Sequence, residues 1–205
     1  MWVAEIFGFI GGGLGTLQGI PQAWRIYRMK TGYGVSISSW ILMLLRMSTW
    51  MGYGIYIASP SIMVSNLIGA FTSALVVAAM RPNQLRAWLW IVPVIALCGF
   101  LVQILPLVVT SVILVLLTLS RVPQLIRSIA NAKAGKVTAV SISALALGIG
   151  SMLAWGTYAF MVNDPLVLYT TLLAMAMMLT IGTLEIATNR IAQRRLDAAA
   201  GEPAI

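Results

Sequence analysis

The sequence Ile20-Pro21-Gln22-Ala23-Trp24-Arg25, at the end of the first apolar run, returns about a hundred residues later as Val122-Pro123-Gln124-Leu125-Ile126-Arg127. A proline inside a helix removes a backbone hydrogen bond and clashes with the preceding turn, so each copy predicts a kink. In each copy a glutamine follows the proline, and an arginine lies one turn after it. The recurrence predicts that the chain is built from two copies of one unit.

The composition around these copies is that of an integral membrane protein. Of the 205 residues, 60% are hydrophobic and 9% are charged, whereas a soluble domain carries roughly a quarter charged residues. The net charge of +8 could suggest nucleic-acid binding, but no basic face on a soluble domain is apparent, so we expect no nucleic-acid partner. We expect membrane lipid to surround the chain instead.

Residue types that are common in enzyme active sites are scarce. The chain has no histidine, which removes the usual general base and the commonest metal ligand, and its single cysteine, Cys98, excludes an internal disulfide. The sequence shows no metal-ligand cluster, nucleophile elbow or carboxylate pair. We therefore expect neither enzymatic activity nor a cofactor or metal.

Seven apolar runs are long enough to cross a bilayer, which requires about 20 residues per helix. The first run has no basic residue before it and no obvious cleavage site, so we interpret it as a span rather than a signal peptide. The tail from Asn189 is polar and Ala-rich, and it is predicted to fray. The predicted spans are 3–28, 36–57, 61–80, 86–104, 107–130, 141–161 and 166–187.

Basic residues mark one side of this predicted bundle. Twelve of the 13 Lys and Arg residues lie around the first, third and fifth connections or in the tail, and Arg46 is the exception. The positive-inside rule then places the N-terminus outside and the C-terminus in the cytoplasm. Because no long tail or targeting signal is evident, we expect a multi-pass protein of a bacterial inner (plasma) membrane.

The repeat extends well beyond the Pro–Gln pair. At a shift of 102, Thr16, Leu17, Pro21, Gln22 and Arg25 match Thr118, Leu119, Pro123, Gln124 and Arg127. At a shift of 105, residues 35–38 match 140–143, and Leu42, Met47, Trp50, Tyr53, Pro60 and Leu67 match Leu147, Met152, Trp155, Tyr158, Pro165 and Leu172. We predict an all-α fold of seven transmembrane helices, in which two parallel three-helix bundles are joined by a linker helix (3+1+3). The predicted divisions are a first repeat at 1–82, a linker helix at 83–105, a second repeat at 106–188 and a cytoplasmic tail at 189–205.

These motifs resemble the PQ-loop family, and within it the MtN3/saliva group that holds the SWEET and SemiSWEET sugar transporters. The resemblance covers residues 3–80 and 107–187, with the fourth span as the linker. It implies a substrate site between the two units at mid-depth and transport by alternating access. It also implies that the Pro–Gln pairs, Pro21-Gln22 and Pro123-Gln124, act as hinges.

The resemblance further implies which residues line the central cavity. In SWEET-like proteins a tryptophan of the second helix and an asparagine of the third face the sugar, and these match Trp50 and Asn66. In the second unit Trp155 matches the tryptophan, but Thr171 stands at the asparagine position. This departure argues against ordinary glucose or sucrose as the substrate.

The same residues have physical roles that do not depend on the resemblance. The two tryptophans each offer an apolar face and one N–H donor, which suit a sugar ring, although an interfacial aromatic belt is the alternative. Tyr53 and Tyr158, one turn further out, could form an outer gate or belong to the same belt. Asn66 should face a cavity or another helix, because an unpaired amide in hydrocarbon is costly. The glycines near the start, Gly11, Gly12, Gly13 and Gly15, favour close helix contact over phosphate binding.

Arg46 is the one cation predicted deep within a span. It lies about 15 Å from the cytoplasmic end of the second span at 1.5 Å per residue, too deep to reach the interface easily. An intramembrane cation suggests a functional site, and one turn from Trp50 it could bind a carboxylate or phosphate of a substrate. The alternative is a bond to backbone carbonyls freed at a proline kink.

Three functions follow from these residues. The first is a carrier of a small polar solute, sugar or sugar-like, acting by facilitated diffusion, because neither histidine nor a mid-depth carboxylate is present for proton coupling. The second is a carrier of a small anionic metabolite that uses Arg46, and the third is a receptor on the same fold that binds a ligand without transporting it. The expected partner is a small-molecule substrate, and assembly into a homo-oligomer stays open.

Overall fold

The computed structural model describes residues 2–29, 37–81, 83–134 and 142–201, and all the regular structure within these ranges is helical. A 3₁₀ turn, Leu119–Arg121, separates the fifth and sixth helices. The helices are α1 (Trp2–Met29), α2 (Ile37–Tyr56), α3 (Pro60–Ala79), α4 (Gln84–Ile104), α5 (Leu107–Thr118), α6 (Val122–Ala134), α7 (Ile142–Val162) and α8 (Pro165–Gly201).

Several of these helices have the length and apolar composition of membrane spans. Within the described residues, Pro60–Ala79, Gln84–Ile104 and Pro165–Ile191 are each long and apolar enough to cross a bilayer. Shorter apolar helical segments are Trp2–Leu17, Leu107–Thr118 and Ala146–Val162. The all-helical, apolar architecture agrees with the predicted class of protein, and the arrangement as seven spans in a 3+1+3 order stays a prediction.

The predicted fifth span, 107–130, is not one uninterrupted α-helix. It consists of α5, the 3₁₀ turn and α6, and the N–H of Val122 returns to the carbonyl of Leu119. Proline has no N–H to donate to the preceding turn, so a break is expected next to Pro123. By contrast, α1 continues through Pro21. The side chains of the four hinge residues Pro21, Gln22, Pro123 and Gln124 lie outside the described part of the structure.

The prediction that the chain frays from Asn189 is wrong for residues 189–201. These residues continue α8, which runs from Pro165 to Gly201. The stretch is rich in alanine and arginine, which have high helix propensity, and it follows a long helix that removes the cost of nucleation.

The turns that follow α2 and α7 have the same backbone geometry. Ala58 and Asn163 are related by the shift of 105, and both have a φ of 54°. The next N–H in each turn, from Ser59 or Asp164, returns to a carbonyl five residues earlier at 2.8 Å and 3.0 Å, respectively. Such a left-handed ending satisfies the last carbonyls of a helix. The repeat seen in the sequence is thus also present in the backbone of these two turns.

Helix packing follows a related pattern in the two predicted repeats, residues 1–82 and 106–188, which are called the two halves below. Helix α3 packs against both α1 and α2, and α8 packs against both α7 and the α5–α6 segments. Helix α4 lies against α2 and α3. Between the halves, α1 packs extensively on α7, whereas α2 makes a smaller contact with α5. The third helix of each half therefore lies between the other two.

Small residues on α1 allow two helices to approach it closely. A Cβ atom added at Gly8 would overlap the Ser61 side chain of α3, and one at Gly12 would overlap Ser65.

Toward α7, a Cβ at Gly11 would lie 2.8 Å from Cδ1 of Trp155. A Cβ at Gly15 would lie 3.3 Å from Ser151 Oγ, whereas one at Gly13 would meet nothing within 4 Å. The glycines thus serve helix packing, as predicted, except at Gly13.

Candidate functional site

One end of the bundle, where α2 and α7 finish, holds a hydrogen bond between α2 and the α7–α8 turn. Tyr53 is 4% exposed, and its hydroxyl donates to Asp164 Oδ2 at 2.8 Å. The other carboxylate oxygen, Oδ1, accepts the N–H of Val167 at 3.0 Å and so caps the N-terminus of α8. The cap fixes the carboxylate at the positive end of the helix dipole, where it presents its second oxygen to the tyrosine.

A second chain of hydrogen bonds connects α7 with the α2–α3 turn. Tyr158 is 1% exposed, and its hydroxyl donates to Ser59 Oγ at 2.8 Å. Ser59 Oγ in turn donates to Glu5 Oε1 at 3.1 Å, and Glu5 Oε2 accepts the N–H of Ser61 at 2.7 Å. A carboxylate on α1 thus caps α3 and completes this second chain of bonds.

The two connections are reciprocal under the repeat. Under the shift of 105, Tyr53 corresponds to Tyr158 and Ser59 corresponds to Asp164. The hydroxyl of each tyrosine therefore donates to a residue in the turn of the other half. The carboxylate is part of the turn in one connection, and in the other it is supplied by Glu5. Separating the two halves at this end of the bundle therefore requires both connections to break.

Each predicted tryptophan packs against the tyrosine three residues after it in the same helix. The rings of Trp50 and Tyr53 are 5.6 Å apart and nearly perpendicular at 88°, and those of Trp155 and Tyr158 are 5.6 Å apart at 81°. All four side chains belong to or pack against one apolar cluster, which also contains residues of α1, α3, α4, α5 and α8. Edge-to-face geometry is favourable for aromatic pairs and holds each tryptophan in one orientation.

Arg46 lies on the same face of α2 as Trp50 and Tyr53, because the spacings of four and three residues match a helical turn. Its side chain is half-buried, and Nη2 donates to Met43 Sδ at 3.2 Å. A thioether is a weak acceptor, and a guanidinium carries five N–H donors.

The asparagine and threonine positions differ in their surroundings. Asn66 is half-buried, and its Nδ2 donates to the carbonyl of Ile62 at 2.8 Å. Ile62 lies one turn earlier and belongs to the central apolar cluster, so Asn66 lies on the inward face of α3. Thr171 is 7% exposed on α8, one turn after Val167 of the same cluster.

The structure brings the four predicted aromatic residues together, although the two tyrosine hydroxyls bond to opposite turns rather than to each other. Sequence reasoning missed Glu5, Ser59 and Asp164. The shift of 105 aligns Ser59 with Asp164, directly before the matched prolines, which was a signal for these two. Glu5 has no such signal, because its counterpart at a shift of 102 is Leu107.

The described residues show no metal site, and the two grooves found on their surface are not at the predicted substrate position. No group of three or more His, Cys, Asp or Glu side chains there could hold a metal ion. Two shallow grooves lie on helix surfaces, one along α5 and one between α1 and α3. Neither groove is lined by Trp50, Asn66, Trp155 or Thr171.

Comparison with known families gives one match. Residues 3–63 match the family model of the PQ loop repeat, a stretch that includes α1, α2 and the first turn of α3. No curated protein matches the chain.

Proposed function

We propose that this chain, whose match to the PQ loop repeat at residues 3–63 supports a place in the PQ-loop superfamily, is a membrane transporter for a small polar solute, sugar or sugar-like. Transport proceeds by alternating access and facilitated diffusion, through rocking of one three-helix unit against the other. The observation that carries this proposal is the reciprocal pair of tyrosine bonds, which joins the two halves at one end of the bundle.

Turn geometry and helix packing support the arrangement of the chain as two repeats. The turns after α2 and α7 share one backbone geometry, and the third helix of each half packs between the other two. In the proposed 3+1+3 arrangement, α4 is the linker that gives both units the same direction across the membrane. The N-terminus and the two turns then lie outside, in the orientation that the positive-inside rule favours for a bacterial inner membrane.

Tyr53 and Tyr158 form the outer gate in this mechanism. In the proposed mechanism, the conformation with both tyrosine connections formed is the one closed to the outside. The solute would contact Trp50, Asn66, Trp155 and Thr171 on the inner side of the gate. The Pro–Gln pairs Pro21-Gln22 and Pro123-Gln124 would serve as hinges, and the 3₁₀ turn before Pro123 supports such a role in the second half.

Uptake by purified protein in liposomes tests this function. Labelled neutral sugars and small carboxylates are offered to the wild type and to the Asn66→Ala and Arg46→Ala variants. A sugar transporter shows saturable sugar uptake that Asn66→Ala lowers strongly and Arg46→Ala largely preserves. Binding of a solute without any flux would make the protein a receptor and would contradict the proposal.

The second candidate function is transport of a small anionic metabolite. The half-buried Arg46, which shares a helix face with Trp50 and Tyr53, favours this alternative. Because a cation in a low-dielectric region attracts anions strongly, Arg46 would bind a carboxylate or phosphate group of the solute. In the same uptake experiment, carboxylate flux that disappears in Arg46→Ala identifies this function.

A further inference from the structure

The end of the bundle opposite the tyrosine connections carries two exposed arginines, Arg81 and Arg86. Helix α3 begins beside Ser59 and has 20 residues, so at 1.5 Å per residue Arg81 lies about 30 Å from that turn. This distance is the thickness of the hydrocarbon core of a bilayer, so the two arginines are near the opposite membrane surface. Helix α4, which starts between them, packs against α2 and α3, and none of these three helices contains an Asp or Glu. The two positive charges therefore have no acidic neighbour on the helices around them.

Both arginines lie beside one indole of α4. The Arg81 guanidinium carbon, Cζ, lies 6.0 Å from the ring centroid of Trp90. A cation–π contact of this kind holds the guanidinium over the ring and consumes none of its N–H donors. Arg86 precedes Trp90 by four residues on the same helix, so the two side chains share a helix face. The pair of guanidinium groups thus flanks a single tryptophan at the membrane surface.

Exposed apolar side chains adjoin this cationic pair on the side of the hydrocarbon core. Leu85 and Leu89 are one turn apart on α4 and are 75% and 71% exposed. Trp88 packs against Phe71 of α3 with the ring centroids 6.4 Å apart, and Phe71 is itself exposed. A cationic end that continues into an apolar surface matches a molecule with an anionic head and hydrocarbon chains.

We propose that the start of α4 binds an anionic phospholipid, with its phosphate at Arg81 and Arg86 and its acyl chains along Leu89 and Phe71. Guanidinium groups offer pairs of N–H donors whose spacing matches phosphate oxygens. Phosphatidylglycerol keeps a net negative charge for these arginines, whereas the choline cation of phosphatidylcholine offsets its phosphate. The inference goes beyond the transport function and does not depend on it, because it requires only that the chain lies in a membrane.

Native mass spectrometry of the detergent-purified chain tests this site. Phosphatidylglycerol and phosphatidylcholine with the same palmitoyl and oleoyl chains are titrated separately, and the fraction of protein with one bound lipid gives an apparent affinity. The wild type should bind phosphatidylglycerol about tenfold more tightly than phosphatidylcholine, and Arg81→Gln and Arg86→Gln should each lower the phosphatidylglycerol affinity about fivefold. Trp90→Leu keeps an apolar side chain but removes the ring beside Arg81, so it should lower this affinity about threefold. Because both arginines are exposed, their substitution should leave the melting temperature unchanged.

Arg190→Gln is the matched control, because Arg190 is an exposed arginine near the end of the apolar segment Pro165–Ile191 of α8. It should change the phosphatidylglycerol affinity by less than about twofold, since charges further apart than a Debye length are screened from each other. A loss as large as that of Arg81→Gln would show that net charge alone attracts the lipid and would overturn a site at α4. Equal affinity of the wild type for the two lipids would overturn the anionic partner. Displacement of the bound lipid by an equal concentration of glycerol phosphate, which has no acyl chains, would overturn a lipid as the occupant.

Discussion

Removing the Tyr53 hydroxyl should shift the protein toward an open conformation, in which the tyrosine connections are broken and the ends of α2 and α7 lie further apart. This hydroxyl donates to Asp164 Oδ2 at 2.8 Å, and Tyr53→Phe deletes the bond while leaving the ring and the α8 cap in place. A hydrogen bond to a charged acceptor contributes about 1.5–3 kcal/mol net. Since about 1.4 kcal/mol is a tenfold change, the ratio of open to closed molecules should rise roughly tenfold to 150-fold.

Distances between spin labels at the C-terminal ends of α2 and α7 measure this ratio. Ile55 and Phe160 are suitable sites, because they are related by the shift of 105 and are 49% and 78% exposed. The labels are attached to cysteines at both positions in a Cys98→Ser background, and double electron–electron resonance gives the populations of short and long distances. The Tyr53→Phe variant should transfer population from the short to the long distance.

A double-mutant cycle identifies the bond as the cause. Asp164→Asn weakens the same bond and can still cap α8, so Tyr53→Phe should add little in its presence. Tyr158→Phe acts on the separate Ser59 connection and should add its own shift. A change of less than about twofold in the Tyr53→Phe population ratio, or full additivity with Asp164→Asn, would refute the reasoning.

Three further predictions concern stability, each read from thermal unfolding in detergent. Gly8→Ala should destabilise the fold by about 1–3 kcal/mol, because the added Cβ overlaps the Ser61 side chain. The control Gly13→Ala should be neutral or stabilising, because its Cβ meets nothing within 4 Å. Equal effects of the two substitutions would contradict the packing described for α1. Glu5→Ala should cost about 1–2 kcal/mol by removing the acceptor of the Ser61 N–H in the first turn of α3, where Ser59 remains as the N-cap, and an unchanged melting temperature would contradict this role of Glu5. Gln103→Leu should cost about 1 kcal/mol because Nε2 donates to the Gly52 carbonyl at 2.8 Å, and a gain in stability would count against this bond between α4 and α2.

The sequence was sufficient to predict the features that recur in both halves. The shift of 105 paired Tyr53 with Tyr158, and the structure places both in reciprocal connections at one end of the bundle. Apolar runs predicted most helix positions to within a few residues, because the length of a span and the turn residues around it constrain a helix strongly. The resemblance of residues 3–63 to a PQ-loop repeat was also predictable from the Pro–Gln motif.

The features that differ between the halves could not be predicted in the same way. Glu5 supplies the carboxylate of the Tyr158 connection, whereas Asp164, in the α7–α8 turn, supplies that of the Tyr53 connection. A comparison of repeats detects only residues that match, so it could not identify Glu5, whose counterpart is Leu107. The 3₁₀ turn forms before Pro123 but not before Pro21, although both prolines impose the same local restriction. Tertiary packing decides between a continuous and a broken helix at such a position, and it depends on contacts distant in the sequence.

Counterflow in proteoliposomes tests the central claim most directly. Liposomes that contain the protein are preloaded with an unlabelled solute from the uptake panel and are diluted into a trace of the same labelled solute. An alternating-access carrier exchanges one for the other, so the label should accumulate transiently above its equilibrium level. Accumulation without an overshoot would indicate a channel, and binding without accumulation would indicate a receptor; either result would contradict the account of this protein as a carrier.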